Sequence, residues 1–193
     1  MNWETLICFG DSITAGARSY LGYPEYAGDA LKKNLNKEWN IINYSANGLT
    51  TIGLVRSVNE KFSSLKSFDP SMISVLIGTN DLKENITEEE FRIAYSQLVV
   101  KLKLICKNNH IVLIKIPNLP AGVMYPYHFN MNEKIILFNN VIGQIASEQD
   151  LKVFEFDIPN DHFFDGVHLN ESGSKLCGSQ LAKFILLDKG ISA

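Results

Sequence analysis

Five short apolar runs rich in valine, isoleucine and aromatic residues punctuate the chain. They are "TLICF" at 5–9, "WNIINY" at 39–44, "MISVLI" at 72–77, "IVLIKI" at 111–116 and "KVFEF" at 152–156. Apolar residues fall on odd and even positions alike, the pattern of a strand covered on both faces. Longer amphipathic stretches separate the runs. From Thr87 to Lys107, residues Phe91, Tyr95, Leu98, Leu102 and Ile105 recur at intervals of three or four, which makes one apolar stripe on a helix. Thr87 and Glu90 have capping-box spacing at its start. Asn130 and Glu133 repeat that spacing ahead of Ile135, Ile136, Phe138 and Val141, which predicts a second helix begun in the same way. Fainter patterns place further helices at 24–37, 52–66 and 171–188.

Strands alternating with helices predict an α/β fold, a parallel sheet wrapped on both faces. No linker, repeat or low-complexity segment interrupts the pattern, and 193 residues suit a single domain over 1–193. A composition 46% hydrophobic and 20% charged supplies its core. Two irregular stretches stand out, "PNLPAGVMYPYHF" at 117–129 and "DIPNDHFFDGVH" at 157–168. Loops of about a dozen residues are uncommon in compact domains and often functional. Both follow predicted strands, on the rim where open parallel sheets hold ligands.

Charge and cysteine content narrow the class. Eighteen basic residues stand against 21 acidic ones, without a basic cluster, so no nucleic-acid partner is expected. No apolar run approaches the roughly 18 residues needed to cross a membrane. "MNWETLICFGDS" also lacks the basic stretch and apolar core of a signal peptide. The expectation is a cytoplasmic protein with no stable membrane insertion. Cys8, Cys106 and Cys177 are odd in number and lie inside apolar patterns, which suits small buried residues better than a disulfide or metal framework.

Polar groups gather at the ends of four predicted strands. "GDS" with Ser12 follows the first, "SANG" ending at Gly48 the second, "GTND" with Asn80 and Asp81 the third, and "DGVH" with Asp165 and His168 the last. Singly, each has an ordinary reading: Ser12 a helix cap, Gly48 a turn glycine, Asn80 and Asp81 a hydrogen-bonded turn, Asp165 a turn former, His168 a surface residue. Their chemistry is nevertheless complementary. Acyl transfer needs a nucleophile, a base, a carboxylate to orient that base, and donors for the developing oxyanion. Ser12, His168 and Asp165 can fill the first three roles. The Ser12 and Gly48 N–H groups, with the Asn80 carboxamide, can fill the fourth.

Two other chemistries fit less well. A phosphate cradle in "GDSITAG", as in a flavodoxin-like binding module, would leave Asp165 and His168 unexplained. A metallophosphoesterase needs several His and Asp ligands, whereas the four histidines (His110, His128, His162 and His168) all lie outside "FGDS" and "GTND". The G-x-S-x-G elbow of other serine hydrolases does not occur.

"FGDSIT", "NYSANG", "GTND" and "DGVH", in that order, resemble the four blocks of the SGNH hydrolases, the GDSL esterase/lipase family, and in particular its compact bacterial lysophospholipase- and thioesterase-like members. The first block reads GDSI in place of GDSL. The resemblance implies a three-layer α/β/α sandwich, flavodoxin-like, with five parallel strands in the order 2-1-3-4-5. It implies a Ser12, Asp165, His168 triad, an oxyanion hole of Ser12, Gly48 and Asn80, and a small acyl ester as substrate. Carboxylic esters, thioesters, lysophospholipids and O-acetylated sugars all qualify. No cofactor or metal is expected.

In that strand order Ser12 lies between Gly48 and Asn80 at about 5 Å strand spacing. The base must then return about 14 Å from the last strand, a span within reach of twelve residues at roughly 3.3 Å each. His162 competes for the base role but lacks a carboxylate three residues before it. Asp11 is expected to order the turn beside Ser12. Together with Thr50, Leu82, Leu119 and Tyr125 it completes the set of residues expected near substrate, with the 117–129 loop as a wall.

Overall fold

The computed structural model describes residues 3–106 and 110–191. The elements run β1 (Glu4–Gly10), α1 (Ser12–Ala15), α2 (Tyr23–Leu35), β2 (Trp39–Ser45), α3 (Thr51–Glu60), α4 (Phe62–Ser67), β3 (Met72–Leu76) and α5 (Thr79–Lys83). They continue with α6 (Glu88–Ile105), β4 (Ile111–Ile114), α7 (Asn132–Gln149), β5 (Lys152–Phe154) and α8 (Glu171–Asp188). The five strands form one parallel sheet in the order β2-β1-β3-β4-β5. Helix α2 packs on α8 over one face; α3, α6 and α7 pack together over the other. This is a three-layer α/β/α sandwich. β1, β3 and β4 are buried almost throughout, while the edge strands β2 and β5 are half-covered.

The chain leaves β1 toward β2 on one side, then crosses back over β1 to β3. The carboxyl ends of β1 and β3 therefore flank the point where the strand order reverses, the usual place for a ligand crevice in an open parallel sheet. Register brings the ends level, since Gly10 pairs with Ser45 on one side and Leu76 on the other. Gly10 must lack a side chain, because a Cβ there would lie 2.0 Å from Thr14 Oγ1 and 2.6 Å from the Leu76 carbonyl. That absence lets α1 begin with only Asp11 between it and the strand.

The apolar stripe of α6 is buried as the spacing predicts, and Thr87 and Glu90 form a full capping box at its start. Lys107, at the far end of that predicted helix, lies outside the described residues. Three expectations need correction. The helix predicted over 52–66 is two helices, because the backbone at Lys61 (φ −105°, ψ 14°) leaves the helical region and redirects the chain so that Leu65 reaches the core.

The box expected from Asn130 and Glu133 does not form. A 3-10 turn at Phe129–Met131 leads into α7 with Met131 as its cap. Of the apolar residues that follow, Ile136 is 57% exposed. At 3.6 residues per turn it falls nearly opposite the centre of the buried face of Ile135, Phe138, Val141 and Ile142.

Strands β4 and β5 stop two residues before the predicted ends. At Ile116 the Asn139 side chain replaces a neighbouring strand: its Oδ1 accepts from Ile116 N (2.8 Å) and its Nδ2 donates to Ile116 O (3.0 Å). Asn132, two helical turns earlier on α7, holds Leu119 in the same way at 2.8 and 2.9 Å. The entry to the 117–129 loop is thus fastened to α7 by two side-chain amides, Asn139 at Ile116 just before it and Asn132 at Leu119 within it. Cys8, Cys106 and Cys177 are all buried. No helix among the described residues is long and apolar enough to cross a membrane.

Candidate active site

Ser12 is not the helix cap. Asp11 caps α1, its Oδ1 accepting from Ile13 N at 3.0 Å. This leaves the Ser12 hydroxyl free for other partners, and places the Ser12 N–H at the unpaired start of the helix. Gly48 follows β2 at φ +74° in a tight turn. Among the described residues neither the Ser12 nor the Gly48 N–H donates to a chain acceptor. Asn80, the second residue of α5, crosses to the β2 side, where its Nδ2 donates to Leu49 O at 3.0 Å and makes a longer 3.4 Å contact with Asp11 Oδ2. Its neighbour Asp81 accepts from Thr51 N through both carboxylate oxygens, at 2.9 and 3.2 Å, and so ties the start of α3 to α5.

The remaining groups arrive on the segment after β5, which closes on itself. Asn170 N bonds His162 O, Phe164 N bonds His168 O at 2.7 Å, and Phe163 bridges to Leu169. Inside this turn Asp165 Oδ1 accepts from the N–H groups of Val167 (3.0 Å) and His168 (2.8 Å). Asp165 Oδ2 lies 2.7 Å from His168 Nδ1, and His168 Nε2 lies 2.9 Å from Ser12 Oγ. With Nδ1–H donating to the carboxylate, Nε2 is left as an acceptor for the serine O–H. Arg18 Nε stands 3.7 Å from the same Asp165 oxygen. His162 faces Asp161 instead, at 2.9 Å.

The two aspartates nearest this chain of bonds titrate in opposite directions. Burial pushes Asp11 up to about 7, against the Ile13 N–H, which lowers it, and with added repulsion from Asp81. Burial also acts to raise Asp165. There, the backbone N–H and ring of His168, with the Val167 N–H, outweigh it and hold the carboxyl below its ordinary value.

Ser12, Gly48, Asn80 and His168 share a cleft of about 320 Å³ with Ala17, Arg18, Asn47, Lys83, Pro126 and Tyr127. None of the five other residues expected near substrate lines it. Asp11 is fully buried beneath the serine. Thr50 is occupied as the cap of α3, accepting from Gly53 N. Leu82 faces a separate groove of about 480 Å³ along α7, and Leu119 a cavity of about 470 Å³ between 115–121 and 155–163. Tyr125 is 87% exposed, while the next two residues turn inward.

Neither of these two larger spaces is lined by a serine, threonine or cysteine that could act as nucleophile, so chemistry rather than size marks the Ser12 cleft as the candidate site. Sequence reasoning missed Arg18, Asn47 and Lys83. The last had a faint signal, since it lies one helical turn after Asn80. Among the described residues no group of three or more His, Cys, Asp or Glu side chains is placed to hold a metal ion.

Comparison with known proteins agrees with this fold. Acetylxylan esterase Axe2 from Geobacillus stearothermophilus shares the fold with a TM-score of 0.71 at 22% identity, over 98% of this chain and 95% of that one. The lipase/acylhydrolase from Enterococcus faecalis gives 0.71 at 24% identity, over 94% and 95%. LAE5, an α/β hydrolase from the metagenome of Lake Arreo, gives 0.71 at 16%, over 97% and 95%. No curated protein sequence matches the chain. The model of the GDSL-like Lipase/Acylhydrolase family matches residues 8–176. The chain belongs to that family, and is a carboxylic ester hydrolase.

Proposed function

We propose that this esterase works through a serine nucleophile and an acyl-enzyme, with Ser12, His168 and Asp165 as its triad. The carrying observation is the unbroken run of short contacts from Asp165 Oδ2 to His168 Nδ1 and from His168 Nε2 to Ser12 Oγ. In the first half-reaction Ser12 Oγ attacks the ester carbonyl carbon as His168 takes its proton, and the Asp165 carboxylate stabilises the imidazolium. The carbonyl oxygen, now an anion, is held by the Ser12 and Gly48 N–H groups and by the Asn80 N–H that has only the long Asp11 contact. Collapse expels the alcohol, which leaves with the proton from His168. Water then repeats the sequence on the acyl-enzyme and releases the acid.

The acyl group is short. The cleft is small, about 320 Å³, and the polar side chains of Arg18, Asn47, Asn80 and Lys83 share its lining with the apolar surface of Ala17, Pro126 and Tyr127. The acetyl-removing activity named for Axe2 supports the same reading. A p-nitrophenyl ester series tests it: turnover is greatest at acetyl to butyryl and falls sharply by octanoyl. An optimum at long chains would refute the short acyl pocket. Ser12→Ala abolishes the acyl-enzyme seen by mass spectrometry and removes essentially all turnover; undiminished hydrolysis in that variant would refute the nucleophile.

A further inference from the structure

The 117–129 loop adds a group to this machinery that the family blocks do not contain. Tyr127 is 6% exposed, and its hydroxyl lies 3.1 Å from Asn80 Oδ1. An amide oxygen can only accept, so the phenol is the donor. The nitrogen end of the same amide faces two acceptors, Leu49 O and Asp11 Oδ2. A flipped amide would point its oxygen at a carbonyl and a carboxylate, so the orientation is fixed from both ends. We infer that Tyr127 is a positioning residue for ester hydrolysis: its hydroxyl fixes the Asn80 carboxamide and polarises it, so that Nδ2–H is a stronger donor to the oxyanion. This inference rests on the proposed oxyanion role of Asn80.

Several features support it. Donation to an amide oxygen draws electron density from the nitrogen, and hydrogen bonds linked through a polar group in this way reinforce one another by about 10–30% each. Burial, reinforced by the negative charges of Asp11, Asp165, Asp81 and Glu84, pushes the phenol well above its ordinary pKa. Tyr127 therefore stays a neutral donor across the working range.

The loop is also held in place. Its entry is clamped by Asn132 and Asn139, and Met124 N donates to Asp165 O at 3.0 Å. Tyr127 N then bonds Met124 O at 3.1 Å, so one short segment touches both the acid side and the oxyanion side of the cleft. The Lys83 ammonium, 5.9 Å from the ring centroid, lies close to the phenol ring at the cleft.

A double-mutant cycle decides the point. With p-nitrophenyl acetate, Asn80→Ala lowers kcat about 10²–10³-fold, as side-chain oxyanion donors do. Tyr127→Phe lowers kcat about 5–20-fold with KM held within twofold, a loss consistent with removing one neutral hydrogen bond. Added to Asn80→Ala, Tyr127→Phe costs less than twofold more. Equal losses in both backgrounds, or an unchanged kcat in Tyr127→Phe, would overturn the assignment.

If Tyr127→Phe does not fold, Tyr127→Met supplies a second hydroxyl-free side chain for the same cycle. Failure of both to fold would place the hydroxyl in the fold rather than the reaction, and would also overturn it. An unchanged kcat in Asn80→Ala fails the oxyanion reading itself. A large loss there without coupling to Tyr127 fails only the present inference.

Discussion

The two sides of the Ser12 cleft are built by different means. On the side proposed to hold the oxyanion, Ser12, Gly48 and Asn80 follow the ends of three adjacent strands, and sheet register alone brings those ends level. On the side proposed to supply the base, Asp165 and His168 sit in a segment beyond the last strand, shaped by its own hydrogen bonds and by contact with Met124. One side inherits its precision from the core; the other must generate it locally. Local construction of that kind is more easily disturbed by a single substitution.

The largest test lies on the base side. Asp165→Asn keeps the shape but removes the negative charge that selects the His168 tautomer and stabilises its imidazolium. A fall in kcat of about 10²–10⁴-fold is expected, with KM little changed. A loss under tenfold would show that the turn's backbone bonds alone orient the base.

A glycine on each side gives the next test. Gly166 in the base turn and Gly48 in the oxyanion turn both have positive φ, at +85° and +74°. A Cβ at Gly166 would stand 2.6 Å from Val123 Cα, whereas at Gly48 nothing lies within 4 Å. Gly166→Ala therefore combines backbone strain with a collision that separates the two loops. It should cost about 1–3 kcal/mol of stability and, by displacing His168, about 10–10²-fold in kcat. Gly48→Ala carries only the strain, about 1 kcal/mol, and keeps its N–H. Thermal melts and turnover of the two variants side by side check the contrast; equal damage would remove it.

The same division explains what could be read from the chain. The strand order followed only from the family resemblance, whereas the strands and the four chemical blocks were legible because β-runs, strand-end glycines and Ser/Asn/Asp/His residues are local signals. Asp165 and His168 were legible for the same reason, since one turn presents both. The substrate wall was legible only as a segment: the 117–129 loop does line the cleft through Pro126 and Tyr127, but the individual residues singled out do not. Asp11, Thr50, Leu82, Leu119 and Tyr125 were chosen by proximity in sequence, but side-chain direction decides which neighbour faces a cleft. Tyr125 points outward while Tyr127, two residues on, is buried against Asn80. The clamps from Asn132 and Asn139 were equally hidden, because a polar residue on a helix reads as solvated until its partner loop is placed. The Asn130 cap failed for that reason: α7 begins instead at Asn132, whose amide binds Leu119.

The smallest expected effect on turnover separates the sides by acid–base behaviour. Asp165 is held below its ordinary pKa, so it stabilises the fold above the unfolded carboxylate value, and that contribution is lost as pH falls through the folded one. Asp11 does the reverse. With burial pushing it to about 7, the folded chain keeps a proton that the unfolded chain has already released. Stability from this group therefore declines as pH rises from about 4 to about 7, and the cost is complete above that.

Asp11→Asn cannot ionise, yet still offers an oxygen to Ile13 N–H. Any loss from the 3.4 Å Asn80 contact shifts its stability without following this titration. The melting temperature of the variant should thus gain on the wild type between pH 5 and pH 8, on the order of 5–10 °C. A constant offset across that range would mean that Asp11 ionises as freely in the fold as in water, and that the oxyanion side bears no electrostatic cost for its burial.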